Sequence, residues 1–267
     1  MSNLFIVPHD FTNVGDSALK YAIHLAKPRN TAIELLHIVS DKSKGMLAFQ
    51  KLQEIISNLK ASAHGVDIKP LVKVGNIFED IGKIAEEKEA NFIIMGTHGA
   101  KGMQKVFGSY AIKVVKSTSV PFLVVQDTVH DYKFENIVVP LDETKESLQI
   151  INHAANIANM FNSKVYILAE KQSDPRLSQQ VKIRISLVNK VYKEKNVNSE
   201  VHFLDKSKSY TNSVMEFAKK ASADMIALAY HSSSLFTFDS HSQNLITNDE
   251  HIPCLIVNSK LLSKLYY

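Results

Sequence analysis

Short, continuous apolar runs alternate with longer segments of mixed polarity along the whole chain, and Phe92-Ile93-Ile94-Met95 is typical of the runs. Uninterrupted runs of this length favour strands that are buried on both faces, as in parallel sheets. The predicted strands of the first half are Leu4–Pro8, Ala32–Val39, Asp67–Val72, Phe92–Met95 and Phe122–Val125, and those of the second half are Asn136–Pro140, Lys164–Leu168, Glu200–Phe203, Met225–Ala229 and Leu255–Val257.

Between the strands, apolar residues recur at helical spacing. Ala18, Ala22 and Leu25 share one helical face, as do Leu52, Ile55, Ile56 and Leu59 further along. A strand followed by a helix, repeated five times in each half, predicts a parallel sheet with helices on both faces. The predicted fold class is therefore α/β, with two tandem Rossmann-like domains, each a five-stranded, mainly parallel sheet flanked by helices.

The two halves repeat each other in sequence. The segment Ile6–Pro8 reappears as Val138–Pro140, and Asp10 reappears as Asp142, all 132 positions later. Because the offset between matching residues stays constant across most of each half, the sequence predicts a tandem duplication. The sequence therefore predicts two domains, 1–130 and 131–267, joined near Gln126–Glu135.

Composition and charge narrow the class of protein. The chain has 267 residues, of which 31 are basic and 27 acidic, so its net charge is +4. The positive charge is spread over both halves, and the charge distribution therefore does not indicate a nucleic-acid partner. One cysteine, Cys254, rules out a disulfide framework. No apolar run approaches the roughly 20 residues of a membrane span, and the Leu4–Val7 run is too short for a signal peptide. We expect a soluble, cytoplasmic protein with no membrane partner.

Candidate ligand-binding residues follow the first and fourth predicted strands, because ligands of such sheets bind past the carboxyl ends of the strands, where the strand order reverses. These residues are Pro8-His9-Asp10 and Gly96-Thr97-His98-Gly99. The glycines let backbone amides approach an anion, and Gly108-Ser109 would open the next helix, whose N-terminus favours phosphate. The alternative is that these glycines serve only to make a tight connection between the strand and the next helix.

These motifs together resemble those of a tandem universal stress protein. The pair Gly96 and Gly99 followed by Gly108-Ser109 is similar to the glycine pattern of the family's nucleotide-binding members, and Pro8, Asp10 and the segment Leu36–Val39 also fit. Eight residues separate Gly99 from Gly108, one fewer than in the family pattern. The resemblance implies that the first domain binds ATP, alone or with Mg²⁺. It implies contacts of Asp10 and Ile38 with adenosine, of Met95, Gly96 and Gly99 with ribose and phosphates, and of Gly108 and Ser109 with the terminal phosphate, with Pro8 in the opening motif.

The second half departs from this pattern because it contains no glycine. The strand Met225–Ala229 is followed by Tyr230-His231-Ser232-Ser233-Ser234, whose side chains would crowd the path of the phosphates. Asp142 is retained, but an Asp after a strand commonly caps the next helix. We expect a degenerate domain that binds no nucleotide.

Three functions stay open at this point. The first is a stress-response module in which ATP acts as a regulatory ligand and the second domain as a scaffold. The second is a nucleotide-free scaffold for protein interactions. The third is a slow ATPase, for which only Asp10 and His98 look able to assist water attack. The sequence has no nucleophile elbow and no P-loop, and no close-spaced histidines support a metal at His9 and His98, so we predict no catalytic residue and no metal ligand.

The resemblance also implies how the domains assemble. The last strands, Phe122–Val125 and Leu255–Val257, are expected to pair edge to edge within one chain. Each is apolar, and proteins normally cover such an edge. The sequence does not decide whether the tandem chain also forms a homodimer.

Overall fold

The computed structural model describes residues 3–59, 61, 63, 65–97, 113–126, 132–141, 146–205, 209–230 and 240–259. The chain divides into two units, Met1–His130 and Asp131–Tyr267. No helix of the described residues is long and apolar enough to cross a membrane.

The first unit is a five-stranded parallel sheet in the order β3-β2-β1-β4-β5. The strand order reverses between β1 and β4, because the chain moves outward from β1 to β3 and then returns to the other side of β1. The elements are β1 (Leu4–Pro8), α1 (Asn13–Ala26), β2 (Ala32–Val39), α2 (Gly45–Asn58), β3 (Ile68–Val74), α3 (Ile77–Glu87), β4 (Phe92–Thr97) and β5 (Phe122–Gln126). Residues 113–115 are helical.

The second unit repeats this plan in the order β8-β7-β6-β9-β10, again with parallel pairing. Its elements are β6 (Asn136–Leu141), α4 (Ile151–Phe161), β7 (Lys164–Glu170), α5 (Pro175–Glu194), β8 (Asn198–Leu204), α6 (Tyr210–Lys220), β9 (Met225–Tyr230), α7 (Ser240–Ile246) and β10 (Cys254–Asn258). The predicted α/β class, with two five-stranded sheets flanked by helices, is confirmed.

The strands carry the cores, as their continuous apolar runs predict. Ile6, Ile93 and Leu123 of the first unit are fully buried, and so is Val138 of the second, which matches Ile6. Helix α2 differs from its expected pattern, because only Leu52 of the predicted apolar face is fully buried and the helix ends before Leu59.

The internal repeat extends to the backbone of the loops. Asn30 and Asn162, which are 132 positions apart, follow the first helix of their units with φ of 48° and 55°. Glu89 and Ser222 follow the third long helix of each unit with φ of 51° and 48°. This left-handed region is unfavourable for side chains other than those of Gly, Asn and Asp. The duplicated fold therefore keeps two left-handed positions in each copy, and the one occupied by Glu89 or Ser222 is strained.

Candidate functional site

His9 organises the loop between β1 and α1. Its ring is buried, its Nε2–H donates to Asp16 Oδ1 at 3.1 Å, and its Nδ1 accepts from the backbone N–H of Phe11 at 3.0 Å. These two bonds require the neutral tautomer that carries its proton on Nε2. Burial lowers the pKa of His9 below its ordinary value of 6.5, and this outweighs the opposing effect of Asp16. His9 is therefore neutral near pH 7.

The same loop is tied to β2 through the backbone of His9. The His9 N–H donates to the Leu36 carbonyl oxygen at 2.8 Å, and the His9 carbonyl oxygen accepts from Nδ1–H of His37 at 2.7 Å. Asp10 is exposed, and its Oδ1 accepts from both the N–H and the hydroxyl of Thr12, at 3.1 and 2.6 Å. The loop thus holds Asp10 at the carboxyl edge of the sheet, immediately before α1.

Phe11 has a backbone conformation that is rare for an aromatic residue, with φ of 67°. Its ring lies 4.3 Å from the His37 ring, centroid to centroid, and Lys51 Nζ lies 5.3 Å from the Phe11 centroid. Such strain persists only where surrounding contacts fix it, and it concentrates at ligand sites. Here the His9 bond and the packing on His37 hold the Phe11 ring beside the end of β2.

A cleft of about 280 Å³ opens at this place. We call it the β2 cleft; it is lined by Phe11, His37, Ile38, Val39, Ser40, Lys44, Leu47, Ala48 and Lys51. Its walls combine an aromatic ring, aliphatic side chains and two lysines, and it approaches the lower end of the roughly 300–1,000 Å³ that is usual for small-molecule pockets. This composition suits a flat organic ring attached to an anionic group.

Gly96 has a packing role that the sequence does not reveal. A Cβ at Gly96 would overlap the backbone carbonyl oxygen of Val14, in the first turn of α1. The absence of a side chain therefore lets the end of β4 lie against the start of α1. Met95 and Pro8 are half-buried near the ends of their strands.

The structure places Pro8, Asp10, Ile38, Met95 and Gly96 at the carboxyl ends of the adjacent strands β2, β1 and β4. The remaining predicted residues, Gly99, Gly108 and Ser109, lie outside the described residues, as do His98, Asp142 and the 231–234 segment. Sequence reasoning did not single out Phe11, Lys44 and Lys51 of the β2 cleft. The seven-residue spacing of the two lysines, two helical turns, was the available signal.

The second unit differs at the matching positions. Pro8 pairs with Leu36, and Pro140 pairs with Leu168, so Ile38 and Glu170 each lie two residues past that pair. Likewise Gly96 pairs with Val125, and Ala229 pairs with Val257. A carboxylate thus replaces the aliphatic residue of the β2 cleft, and a methyl group replaces the glycine hydrogen.

A cleft in the second unit has a different position and charge. It measures about 260 Å³, lies at the end of β8, and is lined by Phe203, Leu204, Asp205, Ser213, Glu216, Phe217 and Lys220. Asp205 pairs with Lys171 at 2.6 Å. Among the described residues no group of three or more His, Cys, Asp or Glu side chains could hold a metal ion.

The family model described as the universal stress protein family matches residues 1–126 and, a second time, residues 133–258. The chain belongs to the universal stress protein family. The resemblance predicted from the sequence motifs is confirmed, and the two matches show two universal stress protein domains in tandem.

Two relatives within the family each match about half of the chain. One universal stress protein of Methanocaldococcus jannaschii is 29% identical over an alignment of 136 positions that covers 45% of this chain and 80% of that protein. A second from the same organism is 26% identical over an alignment of 155 positions that covers 47% of this chain and 96% of that protein. A solved universal stress protein of Archaeoglobus fulgidus covers 97% of this chain and 99% of its own, with a TM-score of 0.74 and 18% identity, which shows the shared fold.

Proposed function

We propose that the first unit binds an adenine nucleotide, ATP with Mg²⁺, as a regulatory ligand, and that the second unit acts as a scaffold. Bound nucleotide would then select the conformation or partner surface that prevails. The residues proposed to bind it are Asp10 and Ile38 at the adenosine, Met95, Gly96 and Gly99 along the ribose and phosphates, Gly108 and Ser109 at the terminal phosphate, and Pro8 at the end of β1.

The β2 cleft is the observation that carries this proposal. Ile38 and Phe11 offer apolar contact area for a purine ring, and Lys44 and Lys51 offer positive charge for an anionic ligand. The cleft lies at the end of β2 and includes Phe11, the residue after Asp10. The strand order reverses on the other side of the neighbouring strand β1, between β1 and β4. Both hydrogen bonds to Thr12 use Oδ1 of Asp10, so its Oδ2 can accept from a ribose hydroxyl.

Mg²⁺ would enter with the nucleotide in this proposal. It binds through a few carboxylates or through substrate phosphates and keeps several of its water molecules. A protein cluster of three carboxylates is therefore not required. Asp10 is an exposed carboxylate of the proposed site.

The hydrogen bonds of His9 exclude it as a general base for hydrolysis. A general base must accept a proton from the attacking water. Nδ1 of His9 already accepts from Phe11, and its Nε2 carries a proton donated to Asp16. His9 is therefore occupied in holding the loop and is not available as a general base in this arrangement.

The second unit fits a scaffold better than a second nucleotide site. Glu170 stands at the position of Ile38 and would repel phosphates, and the cleft at β8 contains the carboxylates of Asp205 and Glu216. A protein-interaction scaffold that binds no nucleotide in either unit is the competing function. It requires that the one-residue-shorter glycine loop of the first unit has lost phosphate binding.

The proposal includes pairing of the two units through Phe122–Val125 and Leu255–Val257. Each segment belongs to the strand that ends the order of its own sheet, and an uncovered apolar edge strand promotes aggregation. Pairing within one chain would cover both edges. The proposed compartment is the cytoplasm, where a single reduced cysteine is ordinary.

Thermal unfolding tests the proposed function. Protein stripped of nucleotide is heated with and without about 1 mM Mg-ATP, and Mg-GTP serves as the control. A ligand at about 100 times its Kd stabilises by about 2.7 kcal/mol, which raises the Tm of a domain of this size by several degrees. An ATP-specific rise supports the proposal. No rise, in protein shown by extraction and chromatography to be free of nucleotide, would favour the nucleotide-free scaffold.

A further inference from the structure

We propose that His9 is a positioning residue that makes nucleotide binding by the first unit depend on pH, because only its neutral ring can hold Phe11 in the β2 cleft. This inference rests on the proposed function. It concerns a side chain that does not line the cleft itself but acts through the backbone of a residue that does.

The hydrogen bonds of the loop give His9 this role. The Phe11 N–H donates to Nδ1 of His9 at 3.0 Å. Protonation puts a hydrogen on Nδ1, so two donors then face each other and this bond is lost. The bond restrains Phe11 at φ of 67°, where an aromatic residue is strained. Without it we expect Phe11 to relax to negative φ and to carry its ring away from His37.

The packing around the imidazole ring prevents a protonated His9 from rotating Nδ1–H away from the Phe11 N–H. Its side chain is fully buried, and it lies so close to Gly15 that a Cβ there would stand 3.0 Å from the ring. Nε2–H is held by Asp16 of α1. Protonation of His9 therefore breaks the hydrogen bond from the Phe11 N–H and leaves the bond to Asp16 intact, so Phe11 and its neighbours move rather than the His9 ring.

The groups that face His9 set the direction of the effect. Burial lowers its pKa, Asp16 and Asp10 raise it, His37 lowers it, and the net shift is downward from 6.5. The loop is therefore intact at neutral pH and is released on the acidic side. His37 behaves differently, because its Nδ1–H donates to the His9 carbonyl oxygen in the neutral and in the charged form alike.

His9→Asn is the decisive variant. An Asn side-chain oxygen accepts from the N–H two residues later, as Asp10 already does for Thr12, so it can replace Nδ1 as the acceptor without titrating. His9→Leu removes the acceptor at every pH. His24→Asn is the matched control, because it removes an exposed histidine from α1 outside the loop.

The experiment has two readouts, each from pH 8 to pH 5 on protein verified as folded by circular dichroism. The first is the ¹H–¹⁵N signal of the Phe11 amide without ligand. The second is the Kd for Mg-ATP, compared between variants at each pH so that titration of the phosphates, near pH 6 for a monoester, cancels.

We expect the Phe11 amide to follow one titration below pH 6.5 in the wild type and in His24→Asn but not in His9→Asn. We expect wild-type affinity to fall about fivefold relative to His9→Asn by pH 5. His9→Leu should bind about tenfold more weakly than His9→Asn at pH 8. Two results would overturn the role of His9 and leave the proposed function standing. One is Mg-ATP binding at pH 8 with the same dependence of Kd on pH in the wild type and in His9→Asn. The other is a Phe11 amide signal that titrates in the same way in the wild type and in His9→Asn. No Mg-ATP binding at pH 8 in either protein would overturn the proposed function and this role with it.

Discussion

Ile38 and Glu170 occupy matching positions in the two units. Ile38 lies two residues past Leu36, which pairs with Pro8, and Glu170 lies two residues past Leu168, which pairs with Pro140. Ile38 lines the β2 cleft, where its side chain offers an apolar surface. Glu170 is half-buried and brings a negative charge to the matching position. One substitution between the copies thus replaces an apolar surface with a negatively charged one.

Ile38→Glu should therefore abolish nucleotide binding by the first unit. A carboxylate at this half-buried position removes apolar contact and repels the phosphates, so we expect at least about a tenfold loss of affinity, or about 1.4 kcal/mol. Ile38→Val is the control, because it keeps an apolar side chain and should stay within about threefold of the wild type. Competition against a fluorescent ATP analogue measures both, and equal affinities for the two variants would remove Ile38 from the site.

Gly96→Ala should destabilise the first unit, because the new Cβ overlaps the Val14 carbonyl oxygen and forces β4 away from α1. Overpacking of this kind costs about 1–3 kcal/mol. Gly45→Ala is the matched control: no atom lies within 4 Å of its added Cβ, and its backbone is helical. It should raise stability by about 0.5–1 kcal/mol. Calorimetric unfolding of both variants checks the prediction, and similar Tm values would show that Gly96 does not set the contact.

Glu89→Gly should stabilise the protein, because Glu89 lies at φ of 51°, which glycine adopts without strain. The relief amounts to about 1 kcal/mol at most, since glycine also loses more backbone entropy on folding. Glu87→Gly, two residues earlier in α3, should instead cost about 1 kcal/mol. Urea unfolding of the two variants should give midpoints on opposite sides of the wild type, and a fall in both would contradict the backbone argument.

Glu86 should make stability depend on acid pH. Partial burial acts to raise the pKa of Glu86, but hydrogen bonds from Thr118 and Ser119 outweigh it, and the net shift is downward from 4.5. A carboxyl group whose pKa is lowered on folding contributes stability above its unfolded pKa and loses it as pH falls from about 4.5 through the folded value. Glu86→Gln should cost about 1 kcal/mol at pH 7, an amount kept small by solvent exposure.

The difference in unfolding free energy between the wild type and Glu86→Gln should shrink as the pH is lowered below 4.5. Glu87→Gln is the control. Among the described residues its side chain makes an exposed pair with Lys83 at 3.9 Å, and the change should alter stability by less than about 0.5 kcal/mol at any pH. Urea unfolding at pH 7 and pH 3.5 measures both differences. A constant deficit for Glu86→Gln across this range would count against the charge of Glu86.

The strands were predictable because their apolar runs are continuous and repeat 132 positions later. β1 and β2 have the predicted bounds. β7 extends the predicted strand by two residues at its C-terminal end, and β8 extends it by two residues at its N-terminal end and by one at its C-terminal end. Parallel connection alone brings Asp10, Ile38 and Met95 to one edge of the sheet. Residues that depend on contacts between elements were not predictable: Lys44 and Lys51 enter the cleft only because α2 packs beside β2, and His9 shows its role only through Phe11 and Asp16.

The most direct test of the central claim is the stoichiometry of Mg-ATP binding to stripped protein by isothermal titration calorimetry, with Ile38→Glu measured alongside. We predict one site per chain in the wild type and none in the variant. Two sites per chain, or a binding isotherm that Ile38→Glu leaves unchanged, would contradict the assignment of nucleotide binding to the first unit alone.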